Sequence, residues 1–175
     1  MTDFIIVVAM NTDRMIGVLG ELPWDIKSDR ARFKELTRGH MVLMGRKTWD
    51  SLPDRVRPLP DRQNLVITRN PITAHQIESK GAKAFSSFEE AVNFVRTESS
   101  VFVIGGSEIY REAFPVANRM EITYVRMQTP TGDVTRFPPW NRRDWWNEEY
   151  NGVFKKHGPW DSHPTRYETL VRLGR

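Results

Sequence analysis

The chain has 175 residues, within the ~100 to 200 residues typical of one domain, and its 39% hydrophobic and 27% charged content excludes the collagen-like and disordered classes. Zero cysteines exclude disulfides, thiolate zinc sites, iron–sulfur clusters and cysteine nucleophiles. Lys+Arg 26 against Asp+Glu 22 gives a formal charge of +4, which suits nucleic acid and a small anionic ligand equally, so the distribution of charge has to decide.

Phe4 to Met10, the longest apolar run, is far shorter than the ~20 residues that span a bilayer. No membrane segment is expected. The start of the chain also lacks the charged, apolar and small-residue succession of a cleaved leader, so a cytoplasmic location is expected.

Phe4 to Met10 is short, continuous and β-branched, the pattern of a parallel strand covered on both faces. Met41 to Met44, Leu65 to Thr68 and Val101 to Ile104 repeat it. Helical patterns cover Ser28 to Arg38, Ser87 to Arg96 and Ser107 to Phe114, each opening with a serine suited to cap it, and Ser87 and Glu90 have capping-box spacing. Strands alternating with helices predict an α/β fold with a mostly parallel sheet and helices on both faces. In the last third, Met120 to Arg126, Trp146 to Lys156 and Arg166 to Leu173 read as strands with no helix between them, and Gly158-Pro159 supplies a turn. That part predicts an antiparallel edge. Asn11 to Asp25 and Ser51 to Asp61 are long, irregular and rich in Gly and Pro, as functional loops often are.

Four constellations carry chemistry. Asp29, with Phe33 one turn later, tilts toward an apolar wall, and a carboxylate there can bind an amidine-like ring edge through two parallel hydrogen bonds. Taken alone, this segment favours a simpler role, complementing the helix dipole. Asp25, before the helix, is expected to be more exposed. Met44-Gly45-Arg46-Lys47-Thr48-Trp49 and Thr68-Arg69 place cations at two strand ends, suiting either phosphate or solvent. Ile104-Gly105-Gly106-Ser107 follows another strand with a glycine pair, which fits a pyrophosphate or a plain tight turn. Three such strand ends together point to a dinucleotide with an additional phosphate. Arg57 and Arg62 flank Pro58-Leu59-Pro60 on a stiffened loop, where Arg62 suits a carboxylate or ties the loop down. The four histidines show no metal-ligand spacing, and no metal is expected.

These residues carry a resemblance. Pro23-Trp24 with Asp29 and Phe33, Met44 to Trp49, Arg57-Pro58-Leu59-Pro60 with Arg62, Ile104-Gly105-Gly106, Thr123, Gly132-Asp133 and Phe137-Pro138 closely resemble dihydrofolate reductase of the short bacterial type, over nearly the whole chain. The resemblance implies a single domain over residues 1–175 with about eight strands and an antiparallel C-terminal hairpin. It implies NADPH-dependent reduction of 7,8-dihydrofolate to tetrahydrofolate, hydride to C6 and proton to N5, in support of one-carbon metabolism.

By the same resemblance the catalytic group would comprise Asp29, Trp24, Leu22 and Thr123, with Asp29 on the pterin and Thr123 joined to it through water. Val7, Val8, Phe33, Leu52, Arg57, Leu59 and Ile104 would line the folate slot, and Arg62 would take the glutamate carboxylate. Ala9 and Ile16, with Gly17 and Gly20 nearby, would hold the nicotinamide end. Ile104, Gly105, Gly106, Ser107, Glu108, Ile109 and Tyr110 would follow the pyrophosphate. Gly45, Arg46, Lys47, Thr48, Thr68 and Arg69 would hold the adenosine side with its 2′-phosphate. Arg69 replaces a small hydroxyl residue of several relatives, Glu108 stands where some carry a cation, and Arg30 lies beside the aminobenzoyl position. A monomer that binds antifolate inhibitors, and neither nucleic acid nor membrane, is expected. The rival reading within enzymes is the riboflavin-pathway reductase domain. It is expected to lack the Trp24 to Asp29 spacing and the Arg62 loop.

Overall fold

A computed structural model describes residues 2–150 and 152–174. Met1 and Arg175, the ends of the expected domain, and Asn151, inside the expected strand 146–156, lie outside the described residues. The first half of the chain holds β1 (Asp3–Met10), β2 (Met15–Val18), α1 (Lys27–Thr37), β3 (Met41–Gly45), α2 (Arg46–Ser51), β4 (Gln63–Ile67), α3 (Pro71–Ser79) and β5 (Lys83–Phe85). Then follow α4 (Phe88–Phe94), β6 (Ser100–Gly105), α5 (Ser107–Ala113), β7 (Ala117–Val125), β8 (Val134–Arg136), β9 (Trp145–Tyr150) and β10 (Thr165–Arg172). Hydrogen bonding orders eight of the strands β5-β4-β3-β6-β1-β7-β10-β9, and β2 pairs with β8 in a separate ribbon.

Two compact units divide the chain: residues up to Ile6 with Thr37–Ala117, and Val7–Leu36 with the chain from Asn118 onward. In the first unit β5, β4, β3, β6 and the start of β1 are all parallel. Their central residues Ile6, Leu43, Met44, Leu65, Val66, Val101 and Val103 are buried, as continuous apolar runs require when both faces of a sheet are covered. In the second unit β10 lies antiparallel between β7 and β9, giving the edge hairpin expected from the last third. Its core gathers Met15, Trp24, Ile26 and Val125, with Ala9, Val18, Met127 and Val134 packed against them.

Several expectations need correction. Ser28 does not cap α1, which starts at Lys27. Asp161, far along the chain, takes that role: its carboxylate accepts from the Ser28 N–H (3.0 Å) and hydroxyl (2.7 Å), and from the His157 and Gly158 N–H groups (3.1 Å each). Ser107 is likewise inside α5, whose cap is Gly106 without a side-chain cap bond. Ser87 does cap α4 by accepting from Glu90 N–H, but the Glu90 carboxylate returns to Ser86. The ladder of β9 ends at Tyr150, short of Lys156, and Lys155 meets Thr165 only as a single bridge. Thr68 lies just beyond β4. The 11–25 segment is not wholly irregular, because β2 forms within it on β8.

A buried carboxylate that accepts four donors organises the start of α1, and burial, which raises its proton affinity, is outweighed by the bonds from Ser28, His157 and Gly158, which hold Asp161 below the usual carboxylate range. Its contribution is therefore present at neutral pH and is lost as pH falls through that depressed value. Asp161→Ala is expected to lower unfolding free energy by about 1 to 2 kcal/mol, read from the urea midpoint at neutral pH. An unchanged midpoint would show that the helix start does not depend on it.

Candidate active site

In the second unit, α1 presents Asp29 to β7, and the Thr123 hydroxyl donates to Asp29 Oδ1 at 2.6 Å. The link is direct, not through water as expected, because α1 lies close enough for the short threonine side chain to reach. Asp29 is partly buried, and burial pushes its carboxyl above the ordinary range. The Thr123 bond and the charges of Arg32 and Arg30 oppose that rise, while Asp161 adds to it. Asp25, by contrast, is exposed and paired with Arg30, as its position before the helix predicts.

The segment that precedes α1 combines a fixed wall with an exposed tip. Trp24 is buried in the core with Met15 and Ile26, whereas Leu22 is 61% exposed. Val18 and Glu21 exchange backbone hydrogen bonds of 2.9 and 3.0 Å across a tight turn, which explains Gly20 at φ +84° and Gly17, where a Cβ would meet Glu21 O at 3.2 Å. The turn is latched to the segment around β8, since Leu19 N–H donates to Asp133 O and Phe137 N–H to Arg14 O. Buried Asn11 ties the base, accepting from Met15 N–H and donating to Met127 O and Thr129 Oγ1.

In the first unit, β3, β4 and β6 are neighbours, and their carboxyl ends deliver Gly45, Thr68-Arg69 and Gly105 to one edge. The α2 and α5 caps are both glycines without side-chain cap bonds. Packing also demands the cap Gly45, whose Cβ would sit 3.0 Å from Ile109, and the strand-end Gly105, at φ +110°, whose Cβ would sit 3.1 Å from Tyr110. The Gly105–Gly106 peptide is cis. Arg46 pairs with Asp50 at 2.6 Å, Lys47 and Arg69 are exposed, and Thr68 is buried.

The 51–62 loop lies in the same unit. Arg62 donates from Nε to Pro60 O (2.8 Å) and from Nη1 to Thr37 Oγ1 (3.0 Å), which orients its guanidinium. Arg57 is engaged with the Trp49 and Asp50 carbonyls and with Asp54, so its charge is spent holding the loop together. Asn64 secures Leu59 through bonds to both its N–H and its carbonyl.

The family model for dihydrofolate reductase matches residues 3–172. The chain belongs to the dihydrofolate reductase family. It is similar to the dihydrofolate reductase of Mycobacterium leprae, 48% identical over 119 residues that cover 67% of this chain and 68% of that protein. It is also similar to that of Mycobacterium tuberculosis strain H37Rv, 38% identical over 86% of this chain and 88% of the relative, and to that of Bacillus subtilis strain 168, 34% identical over 93% and 92%.

For a dihydrofolate reductase, the expected residues divide cleanly. Leu22, Trp24, Asp29, Phe33, Val7, Val8, Ala9, Ile16 and Thr123 belong to the second unit, while Leu52, Arg57, Leu59, Arg62, Ile104 and the strand-end cations and glycines belong to the first. The carboxylate and the cations thus have separate scaffolds. Residues passed over in the sequence include Asn11, Asp161 and Glu121. Strand periodicity does place Glu121 on the face of Thr123, but nothing local links Asp161 to Ser28, 133 positions earlier.

Proposed function

We propose that this chain reduces 7,8-dihydrofolate to tetrahydrofolate with NADPH, and that Asp29 is the carboxylate that governs protonation of the pterin. The observation that carries this is a partly buried carboxyl, held by the Thr123 hydroxyl and raised in proton affinity by burial, on a helix that follows an exposed loop tip. The membership in the family favours this over reduction of a riboflavin-pathway pyrimidine. No helix among the described residues is long and apolar enough to cross a membrane.

Asp29 would accept two parallel hydrogen bonds from the pterin's ring nitrogen and exocyclic amine, fixing the ring's orientation. A carboxyl raised in proton affinity stays protonated closer to neutrality, so the Asp29–pterin pair keeps one proton there; with that proton on N5 the carboxylate stabilises the resulting cation, and once the pair has lost it to solvent C6 is a poorer hydride acceptor. Protonation at N5 makes C6 the better hydride acceptor. Leu22, at the exposed tip of the 11–25 segment, would exclude water when it closes, and Trp24 would supply the rigid wall. Arg62, oriented by Pro60 and Thr37, would hold the glutamate carboxylate. The amidine-like edge of antifolate inhibitors would suit the same carboxylate. We read the working form as a monomer in the cytoplasm.

The first unit's strand ends fit the cofactor: α2 and α5 both open at glycine caps, a Cβ on Gly106 would approach Thr48 Oγ1 at 3.4 Å, and Arg46, Lys47, Thr68 and Arg69 have the chemistry of a phosphate site. NADPH, when bound, supplies the hydride that C6 receives. Gly105, Gly106 and Ser107 would face its pyrophosphate, and Arg46 would exchange Asp50 for the 2′-phosphate.

Asp29→Asn is expected to lower turnover at neutral pH by about a hundredfold or more, to leave NADPH affinity unchanged, and to regain activity as pH falls and the substrate protonates in solution. Asp25→Asn is expected to change little. A critical Asp25 would contradict the assignment. Charged hydrogen bonds contribute roughly 1.5 to 3 kcal/mol each, so NADPH should be preferred over NADH by at least about tenfold. Arg46 and Arg69 replaced together by alanine should bring the two cofactors near parity. Equal use of both by the unaltered protein would remove the phosphate assignment.

A further inference from the structure

Helix α1 reaches β7 through two side chains one turn apart. Asp29 meets Thr123, and Arg32 Nη2 donates to Glu121 Oε2 at 2.6 Å. Residues three apart on a helix and two apart on a strand share a face, so the pairs lie side by side. Strand β10 completes the arrangement in register: Thr169 stands opposite Glu121 and donates to its Oε2 at 2.9 Å, while Tyr167 stands opposite Thr123, its ring 4.7 Å from the Arg32 guanidinium. The other Glu121 oxygen accepts from Arg119 Nε at 2.7 Å, and Arg119 continues to Glu148 at 2.6 Å.

Glu121 is 3% exposed, and the reaction assigns it no part. A buried ion pair is weak evidence of stabilisation, because apolar residues of similar volume often serve as well or better. Its placement beside Asp29 gives it another use. We propose that Arg32 and Glu121 are positioning residues for Asp29: Glu121 fixes the Arg32 guanidinium against β7, and the net charge of the pair tunes how tightly the Asp29 carboxyl holds its proton. This rests on Asp29 being the group that governs pterin protonation.

The groups acting on Asp29 are few. Arg30 and Arg32 of α1 favour its ionised form, Asp161 from the segment before β10 opposes it, and the Thr123 hydroxyl of β7 bonds it. Arg30 is exposed and paired with Asp25, so water screens it. Arg32 is largely shielded by comparison, its side chain 21% exposed. Through Glu121 it is coupled to Arg119 and Glu148, while Tyr167 faces it without charge. Removing the charge of Arg32 takes a cation away from Asp29. Removing the charge of Glu121 leaves that cation unopposed. The two changes therefore act on Asp29 with opposite sign, whereas two breaks in one structural contact would act alike.

The test is a pH titration of the Asp29 carboxyl by carbon-13 NMR in the ligand-free full chain, with Asp29→Asn assigning the resonance. Hydride-transfer rates are measured over the same pH range. Arg32→Gln leaves Glu121 bonded to Arg119 and Thr169, so no buried charge is stranded. It is expected to increase the protonated-to-ionised ratio at a given pH by about threefold or more. Glu121→Gln is expected to decrease that ratio, and Arg32→Lys, which keeps the charge, to restore a titration close to the unaltered protein. Shifts of the same sign in Arg32→Gln and Glu121→Gln, or no shift in either, would overturn the proposal. Opposite shifts of the carboxyl with unmoved rate profiles would leave the coupling standing and overturn instead the reading of Asp29.

Discussion

Taking an ionised carboxylate out of water is so costly that a protein must replace its hydration with placed donors and charges, or let the group keep its proton. Asp29 is held between those outcomes, pushed up by burial and drawn down by the Thr123 hydroxyl and two arginines. The second unit is built around that balance. Asp161 fixes the start of α1 from outside the helix, so the carboxylate three residues into it has a defined place. The register of β7 with β10 then determines which side chains stand beside it. A one-residue slip of β7 would turn Glu121 and Thr123 to the opposite face together.

A different constraint shapes the first unit. Parallel neighbours β4, β3 and β6 all end at one edge, and their chains leave it through glycines that packing against Ile109 and Tyr110 will not let grow. Cations follow at Arg46, Lys47 and Arg69. Short helices with glycine caps and nearby guanidinium groups suit a multiply charged anion, and the same sheet that packs the core sets their spacing.

The architecture was largely legible because parallel strands covered on both faces are written as unbroken apolar runs. β1, β3, β4 and β6 fall within a residue or two of their expected positions. Asn70-Pro71 is an equally plain helix start, with Asn70 Oδ1 accepting from Ile72 and Thr73 N–H, and it opens α3, a helix outside the expected set. The serine caps misled at Ser28 and Ser107 because a cap is decided by which acceptor reaches the free N–H groups, and at α1 that acceptor is a distant aspartate. Asp29 stands out as the catalytic candidate only through the family resemblance, because its own segment, taken alone, favours a helix-dipole role. Its surroundings could not be read from the sequence. Arg32 looks like a solvated helix charge and Glu121 like a strand residue out of place, and only their pairing across the fold, together with Thr169, explains both.

On the function proposed, the Asp29 carboxyl controls when the pterin accepts a hydride. The most direct measurement is the single-turnover rate of hydride transfer in the unaltered protein, with dihydrofolate and NADPH saturating, from about pH 5 to about pH 9. Because burial raises the proton affinity of Asp29, the rate is predicted to hold above the ordinary carboxylate range. It should then fall by roughly tenfold per pH unit through a single titration. A rate independent of pH across that span would contradict it.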